Sequence, residues 1–459
     1  MIRSGLATAL VAGILLIPLG VGVLWLQALP PAHGPDEEAH LEYVRALATD
    51  RQFPALGFRH GGIWSEGHQP PLYYALCALL TPLTGADWTL RWVSLLLGAG
   101  SVAAYYGIAR RLLPGAPREA AVMAASSGLL PMSSFLSASV NNGALVQFLV
   151  ALVLWIGVDP HRWVGWRGAG AATLVGAAIL AKFSALFLVP FLAVAWVRMA
   201  LEGRLTWPRC LHLTGRLLAV VLLVSGWWFW RNWLLYGDAF GWQQQMASSP
   251  TLVRSERISL GYMYAVTLEL WRSLWAAFGP SARQTAPPSV YILVSLAAGI
   301  GAAGLVSSRW CNRAGRAGGA LLGGSILALL GWPLAVPWFA NRLPGVDGIA
   351  VKLVLLMVMA GMLLVITRRI RWRPDPGARR EIGLLGLAFI LLLVGVYRYN
   401  VNFPQPQGRF LLPCAPALVF FMHQGWIALV GWRNRWVILL TGLALAISGN
   451  LAALVQYEV

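Results

Sequence analysis

Residues 34–40 read GPDEEAH. Asp36, Glu37, Glu38 and His40 fall within seven positions of a chain that holds only 17 acids in 459 residues. A carboxylate within hydrogen-bond reach of a hydroxyl can take its proton in a transfer reaction, which is worth about 10²–10⁴ in rate. Asp36 is the first candidate for such a base, with Glu37 as its partner or alternate. The same cluster offers ligands to a divalent ion. Asp36 and His40 are four apart, on one helical flank, with His33 and Glu37 close by; oxygen donors suit Mg²⁺ or Mn²⁺, and histidines allow Zn²⁺. The plainer reading is that acids in a first helical turn complement the helix dipole.

A carboxylate that removes a proton needs a cation for the charge that departs elsewhere. Arg409, in QPQGRF, and Arg231, in RNWLLYG, are isolated cations beside apolar runs, and arginine grips a phosphate through two parallel hydrogen bonds. Lys182 and His68 are further candidates for a phosphate, and Arg342 could serve as well. The polar residues that would line the same site as substrate contacts are His40, Gln69, Tyr74, Asn141, Asn142 and Gln407. The four cysteines are scattered with no metal-ligand spacing.

The elements that must position these groups are apolar. The chain is 58% hydrophobic and 11% charged, where a soluble domain carries roughly a quarter charged residues. Runs near the ~20 residues needed to cross a bilayer recur along it, and they are continuous rather than alternating, which excludes a β-barrel. The expectation is an all-α polytopic membrane protein of about thirteen transmembrane helices: 5–28, 90–110, 119–138, 142–158, 168–182, 184–200, 214–232, 288–306, 318–338, 347–367, 381–397, 410–430 and 435–456. The first is read as an uncleaved span. With the N-terminus inside, 21 of the 33 arginines fall in short loops on one side, the positive-inside pattern. That dispersion also accounts for the net charge of +18 without a nucleic-acid partner.

The chain then reads as one membrane domain over 1–459 with two long extracytoplasmic loops, 29–89 and 233–287, the second a cap over a cleft or a plain connector. DEEAHLEYVRALAT (36–49) has the period of an amphipathic helix. Asp36, His40 and Tyr43 share one flank, with Glu37, Leu41 and Val44 close to it, and Glu38, Glu42 and Arg45 form what reads as a solvated face. HQPPLYYALCALLTPLTG (68–85) is too short to span and reads as an interfacial helix with a rigid proline start. Ionisable groups held near the bilayer edge mark function by default.

The acidic pair after the first span, HQPPLYY (68–74), AKFSALFLVP (181–190), RNWLLYG (231–237) and QGRFLLP (407–413) together resemble the GT-C superfamily. These are integral-membrane glycosyltransferases that use polyprenyl-phosphate-linked sugars, and the similarity is to the protein O-mannosyltransferase-like and aminoarabinose-transferase-like enzymes. The resemblance implies that the first-loop acids, Asp36 and Glu37 here, supply the catalytic base. It implies inverting transfer to an extracytoplasmic hydroxyl of a lipid, glycan or protein, in a bacterial or archaeal cytoplasmic membrane. Family members often carry a second acid where this chain has SVNNGAL (139–145), with Asn141 and Asn142 in its place. That departure puts a metal-bridged, two-acid site in doubt and keeps an inactive relative in play. A transporter or flippase of lipid-linked sugar is the other alternative. Against it, the spans are nearly free of acids, whereas translocation needs a polar path.

Overall fold

The computed structural model describes residues 2–55, 59–60, 63–64, 66–84, 87–157, 163, 165–248, 253–255, 258–278, 284–285, 288–309, 376–430 and 435–455. The architecture is helical. A long first helix, α1 (Ile2–Ala28), is followed by α2 (Glu37–Thr49) and α3 (Leu72–Thr84), which lie in the segment between the first two spans. A two-residue ladder, Arg59–His60 with Ile63–Trp64, separates them. Next come α4 (Arg91–Leu112), α5 (Pro117–Gly128), α6 (Pro131–Ser137), α7 (Asn142–Gly157), α8 (Gly165–Ala181), a 3₁₀ turn (Phe183–Phe187), α9 (Leu188–Leu201) and α10 (Trp207–Tyr236). The rest comprises α11 (Trp242–Ser248), α12 (Leu260–Ala276), α13 (Pro288–Arg309), α14 (Pro376–Asn402), a 3₁₀ segment (Gly408–Cys414), α15 (Ala415–Val430) and α16 (Arg435–Val455). A second two-residue ladder joins Ala277–Phe278 to Gln284–Thr285.

Seven helices among the described residues are long and apolar enough to cross a membrane, or eight if α5 and α6 count as one broken span bent by 69°. Pro131 opens α6 and cannot donate the backbone bond that would continue α5, which accounts for the break. The runs at 142–158, 168–182 and 288–306 form apolar helices shorter than a full span. The runs at 318–338 and 347–367, and Arg342, lie outside the described residues.

The two first-loop helices fall where periodicity puts the first and the short apolar run after Pro70 and Pro71 puts the second. α2 buries Glu37, His40, Leu41, Tyr43 and Val44, the flank its spacing assigned to one side. Glu42 departs from the expectation. It is 2% exposed rather than solvated, paired with Arg45 one turn on, because α3 and the 63–64 strand pack against α2. Around this unit, α4 packs on α5 and α7, α7 on α8, and α8 on α10, while α13 packs on α15. The apolar core runs through all of them. One polar tie crosses this core: Asn450 of α16 accepts from Trp25 Nε1 of α1 at 2.8 Å and donates to the Leu129 carbonyl at 2.8 Å.

Candidate active site

The ends of α1, α8 and α14 meet the starts of α4, α7 and the 408–414 segment, and the polar residues singled out by sequence gather there. Asp36 is the N-cap of α2 in the left-handed region (φ 55°) and makes no side-chain cap. Such a conformation is tolerated by Asp and is a feature of strained functional positions. Its carboxylate Oδ2 instead accepts from Arg409 Nη2 at 2.7 Å, across 373 residues of chain. Arg409 Nε donates to Gln407 Oε1 at 2.6 Å, while Arg409 Nη1 is buried with no partner. The 3₁₀ geometry of 408–414 delivers this cation. Gly408 permits it, because a Cβ there would come within 2.2 Å of the Leu274 backbone nitrogen on α12.

Glu37, one residue on, has a different environment. It is 1% exposed and takes Arg91 through both oxygens, at 2.8 and 2.7 Å. The Val140 and Gly34 amides donate to it at 2.8 and 3.0 Å. Arg91 in turn donates to the Leu29 and Pro30 carbonyls at 2.6 and 2.7 Å. Every acceptor position on Glu37 is therefore used in tying the end of α1, the start of α4 and the turn before α7 together.

Behind Asp36 lies a layer of oriented amides and imidazoles. His40 Nδ1 contacts Tyr74 Oη at 2.8 Å and its Nε2 contacts Asn141 Nδ2 at 2.9 Å. Tyr74 stacks on Tyr43 with 3.9 Å between ring centroids. Lys182 Nζ donates to Asn142 Oδ1 at 3.2 Å and lies 5.3 Å from the Phe410 ring centroid. Asn142 Nδ2 contacts Gln69 Oε1 at 3.4 Å, and Gln69 Nε2 contacts His68 Nε2 at 3.0 Å.

Electrostatics follows from this packing. Burial works to raise the Asp36 carboxyl, but Arg409, by its charge and its hydrogen bond, and Lys182 hold it below its ordinary value. Burial pushes His40 down to about 3, so its ring is neutral. His68 is likewise lowered, by burial first and by Lys182 as well, against the pull of Glu66.

Of the residues predicted from sequence, Asp36, His40, His68, Gln69, Tyr74, Asn141, Asn142, Lys182, Gln407 and Arg409 form one connected cluster. Arg231 is not joined to it. It donates to the Phe53 and Pro54 carbonyls at 3.0 Å each and stacks on Trp228, 4.4 Å from the ring centroid. Glu37 borders the cluster as part of the Arg91 clamp. The metal reading does not fit the side chains. Both His40 nitrogens are engaged, and His33 turns to the Pro31 carbonyl at 2.9 Å, which leaves Asp36 without a histidine to share an ion. Among the described residues, no group of three or more His, Cys, Asp or Glu stands together as a metal site.

Two functional residues escaped the sequence reading. Glu66 lies 3.6 Å from His68, and its signal was its place two residues before that histidine. Arg91 carried only the signal of a lone arginine at the start of an apolar run.

Fold and site define a polytopic helical membrane protein with an acid–arginine pair at one end of its bundle. Residues 68–230 match the family model of dolichyl-phosphate-mannose-protein mannosyltransferases. No curated protein sequence matches the chain. Among solved structures, the chain is similar to ArnT from Cupriavidus metallidurans, in the apo state and bound to undecaprenyl phosphate, each at 17% identity and TM-score 0.41 over 98% of this chain and 78% of that one. It is also similar to the Archaeoglobus fulgidus oligosaccharyltransferase in complex with Zn and sulfate, at 14% identity and TM-score 0.45. That match covers 97% of this chain and 53% of the other, so the chain spans about half the length of that protein.

Proposed function

We propose that the protein is an inverting glycosyltransferase that moves a sugar from a polyprenyl-phosphate carrier to an acceptor hydroxyl on the extracytoplasmic side, with the N-terminus inside. The observation that carries this reading is the Asp36–Arg409 pair, a carboxylate and a guanidinium 2.7 Å apart at the end of an apolar bundle. Asp36 takes the acceptor proton. The acceptor oxygen forms its bond to the anomeric carbon as the bond from that carbon to the phosphate oxygen breaks, and the electron pair leaves on the polyprenyl phosphate. Arg409, through Nη1 and the Nη2 it lends to Asp36, takes the charge that gathers on that phosphate. Lys182 adds a second positive charge nearby. Glu37 acts as a positioning residue, because its oxygens are spent on the clamp. The 233–287 segment, with α11 and α12, serves as a cap whose Ser273 and Leu274 seat the Gly408 turn.

The support is chemical. A donor phosphate competes with Asp36 for Arg409, and a carboxylate released from its cation is a stronger base. Phosphate entry thus readies the base.

The test has two parts: mass spectrometry of lipids retained by the purified protein, and transfer assays with polyprenyl-phosphate sugars. Retention of a polyprenyl-phosphate sugar, together with transfer that Asp36→Asn abolishes, supports the reading. A retained lipid with no transfer by the wild-type protein overturns it in favour of carriage.

A further inference from the structure

The amides at 141 and 142 are oriented by partners that leave no choice, and that orientation propagates to the two site histidines. A lysine ammonium only donates. Lys182 Nζ is 3.2 Å from Asn142 Oδ1, so this oxygen is the acceptor and the amide nitrogen points the other way. A second anchor agrees: Asn142 Nδ2 faces the Ala181 carbonyl at 3.3 Å, and a carbonyl only accepts. Asn142 Nδ2 therefore also donates to Gln69 Oε1, at 3.4 Å. That turns Gln69 Nε2 toward His68 Nε2, 3.0 Å away. An amide NH₂ has no lone pair to offer, so His68 Nε2 accepts. A neutral imidazole carries one proton, which places it on Nδ1. Glu66 does not alter this, since at 3.6 Å its oxygen is beyond a hydrogen bond to Nε2.

Asn141 works in the same way on the other histidine. Its Nδ2 donates to the Pro35 carbonyl at 3.1 Å and its Oδ1 accepts from the Gly143 amide at 2.7 Å. His40 Nε2 is therefore an acceptor too, and its Nδ1–H donates to Tyr74 at 2.8 Å. The two histidines differ at this last step. His40 has an acceptor for its proton, whereas His68 Nδ1 is buried with none. A buried N–H left without an acceptor is destabilising, and a ligand oxygen would recover that cost.

We propose that Asn142 and Gln69 are positioning residues that hold His68 as a neutral Nδ1–H donor, offered to a phosphoryl oxygen of the sugar carrier rather than presented as a cation. The identity of that oxygen rests on the proposed function; the tautomer does not. A neutral donor contacts the phosphate without adding a charge that would compete with Arg409 for Asp36. It also gives the Asn141–Asn142 pair a task that an acid could not perform. An aspartate at 142 would bind Lys182 but has no N–H to pass to Gln69.

The experiment is nitrogen-15 NMR of histidine-labelled full-length protein in lipid nanodiscs near neutral pH, with the His68 signals identified by their loss in His68→Gln. The expected wild-type result is a protonated Nδ1 and an unprotonated Nε2. In Asn142→Asp, Gln69 turns its nitrogen to the new carboxylate and its oxygen to the ring, and the tautomer inverts to Nε2–H. Where Asn142→Asp does not fold, Gln69→Leu takes its place and relaxes the ring toward Nε2–H, a change of about tenfold or more in the tautomer ratio, as expected for a hydrogen bond worth about 1.4 kcal/mol. An imidazolium or an Nε2–H ring in the wild type overturns the proposal, as does a variant with an unmoved tautomer. Adding a short-chain polyprenyl phosphate shifts the Nδ1 resonance downfield, and an unmoved resonance at saturation overturns the phosphate assignment. An Nδ1–H ring in a protein that transfers no sugar leaves the relay standing and removes the proposed function.

Discussion

Asp36 and Glu37 are adjacent carboxylates, each paired with one arginine, and their surroundings divide their roles. Glu37 is 1% exposed and receives Arg91 in a fork plus two backbone amides. Asp36 has a side chain 43% exposed and one strong contact, with Arg409, whose Nη1 is left over. A fully satisfied buried pair fixes geometry and is costly to break. A half-satisfied pair at the mouth of a site retains the capacity to exchange partners. The same contrast runs through the arginines. Arg91 and Arg231 are engaged with backbone carbonyls, whereas Arg409 holds only side chains that a ligand can displace.

The widest separation between the two acids comes from Asp36→Asn. Transfer from a polyprenyl-phosphate sugar falls by about 10²–10⁴, while thermal stability in detergent stays near wild type. Wild-type transfer by the purified variant sinks the base assignment. Glu37→Ala gives the opposite pattern. Removing one partner of a buried pair costs about 3–5 kcal/mol, read as a large drop in the melting temperature and in the yield of folded protein. A Glu37→Ala protein of unchanged stability that has lost transfer would exchange the two roles.

How far this division was legible in the sequence depends on the kind of interaction. Helical periodicity put Asp36, His40 and Tyr43 on one flank and located α2, because burial on a single helix face imprints a period, and the short apolar run after Pro70 and Pro71 located α3. The runs of α1, α4, α9, α10, α14 and α16 were legible for the same reason, hydropathy being a local property. Spacing put Glu37 beside the Asp36 flank without dividing their roles, and it put Glu42 with Glu38 on the outer face, where Glu42 does not belong. The burial of Glu37 and Glu42 is decided by Arg91, 54 residues on, and by the packing of α3 against α2. Arg409 and Arg231 were equally isolated cations in the sequence, and only the fold brought one of them to Asp36. The broken span at Pro131 reads as a single run because the apolar pattern continues through the bend.

The third test concerns the layer beneath Asp36. His40 has its proton affinity lowered from 6.5 to about 3, so the unfolded chain binds a proton that the folded one refuses. The stability this burial contributes is present above pH ~6.5 and is lost as the pH falls toward 3, at about 1.4 kcal/mol per pH unit. Between pH 6.5 and 5 the loss is about 2 kcal/mol. His40→Gln, neutral at every pH, should flatten that part of the curve. A wild-type melting temperature that does not change between pH 7 and 5, or a variant with the same slope as wild type, assigns the sensitivity elsewhere.

The smallest effect gives the finest discrimination between the two pairs. Arg409 holds the Asp36 carboxyl down through charge and a hydrogen bond, so removing the guanidinium returns that carboxyl toward its ordinary range. A base must be deprotonated to act. The acid limb of kcat/KM in Arg409→Gln should therefore move to higher pH. The same substitution weakens the binding of a polyprenyl phosphate. Arg91→Gln, by contrast, should act through folding and leave the limb of its surviving fraction in place, since the oxygens of Glu37 are spent on the clamp. An acid limb that stays put in Arg409→Gln while phosphate binding weakens would separate the two functions assigned to this arginine, leaving it a phosphate ligand that does not tune the base. A limb that moves in Arg91→Gln would bring Glu37 back as a candidate base.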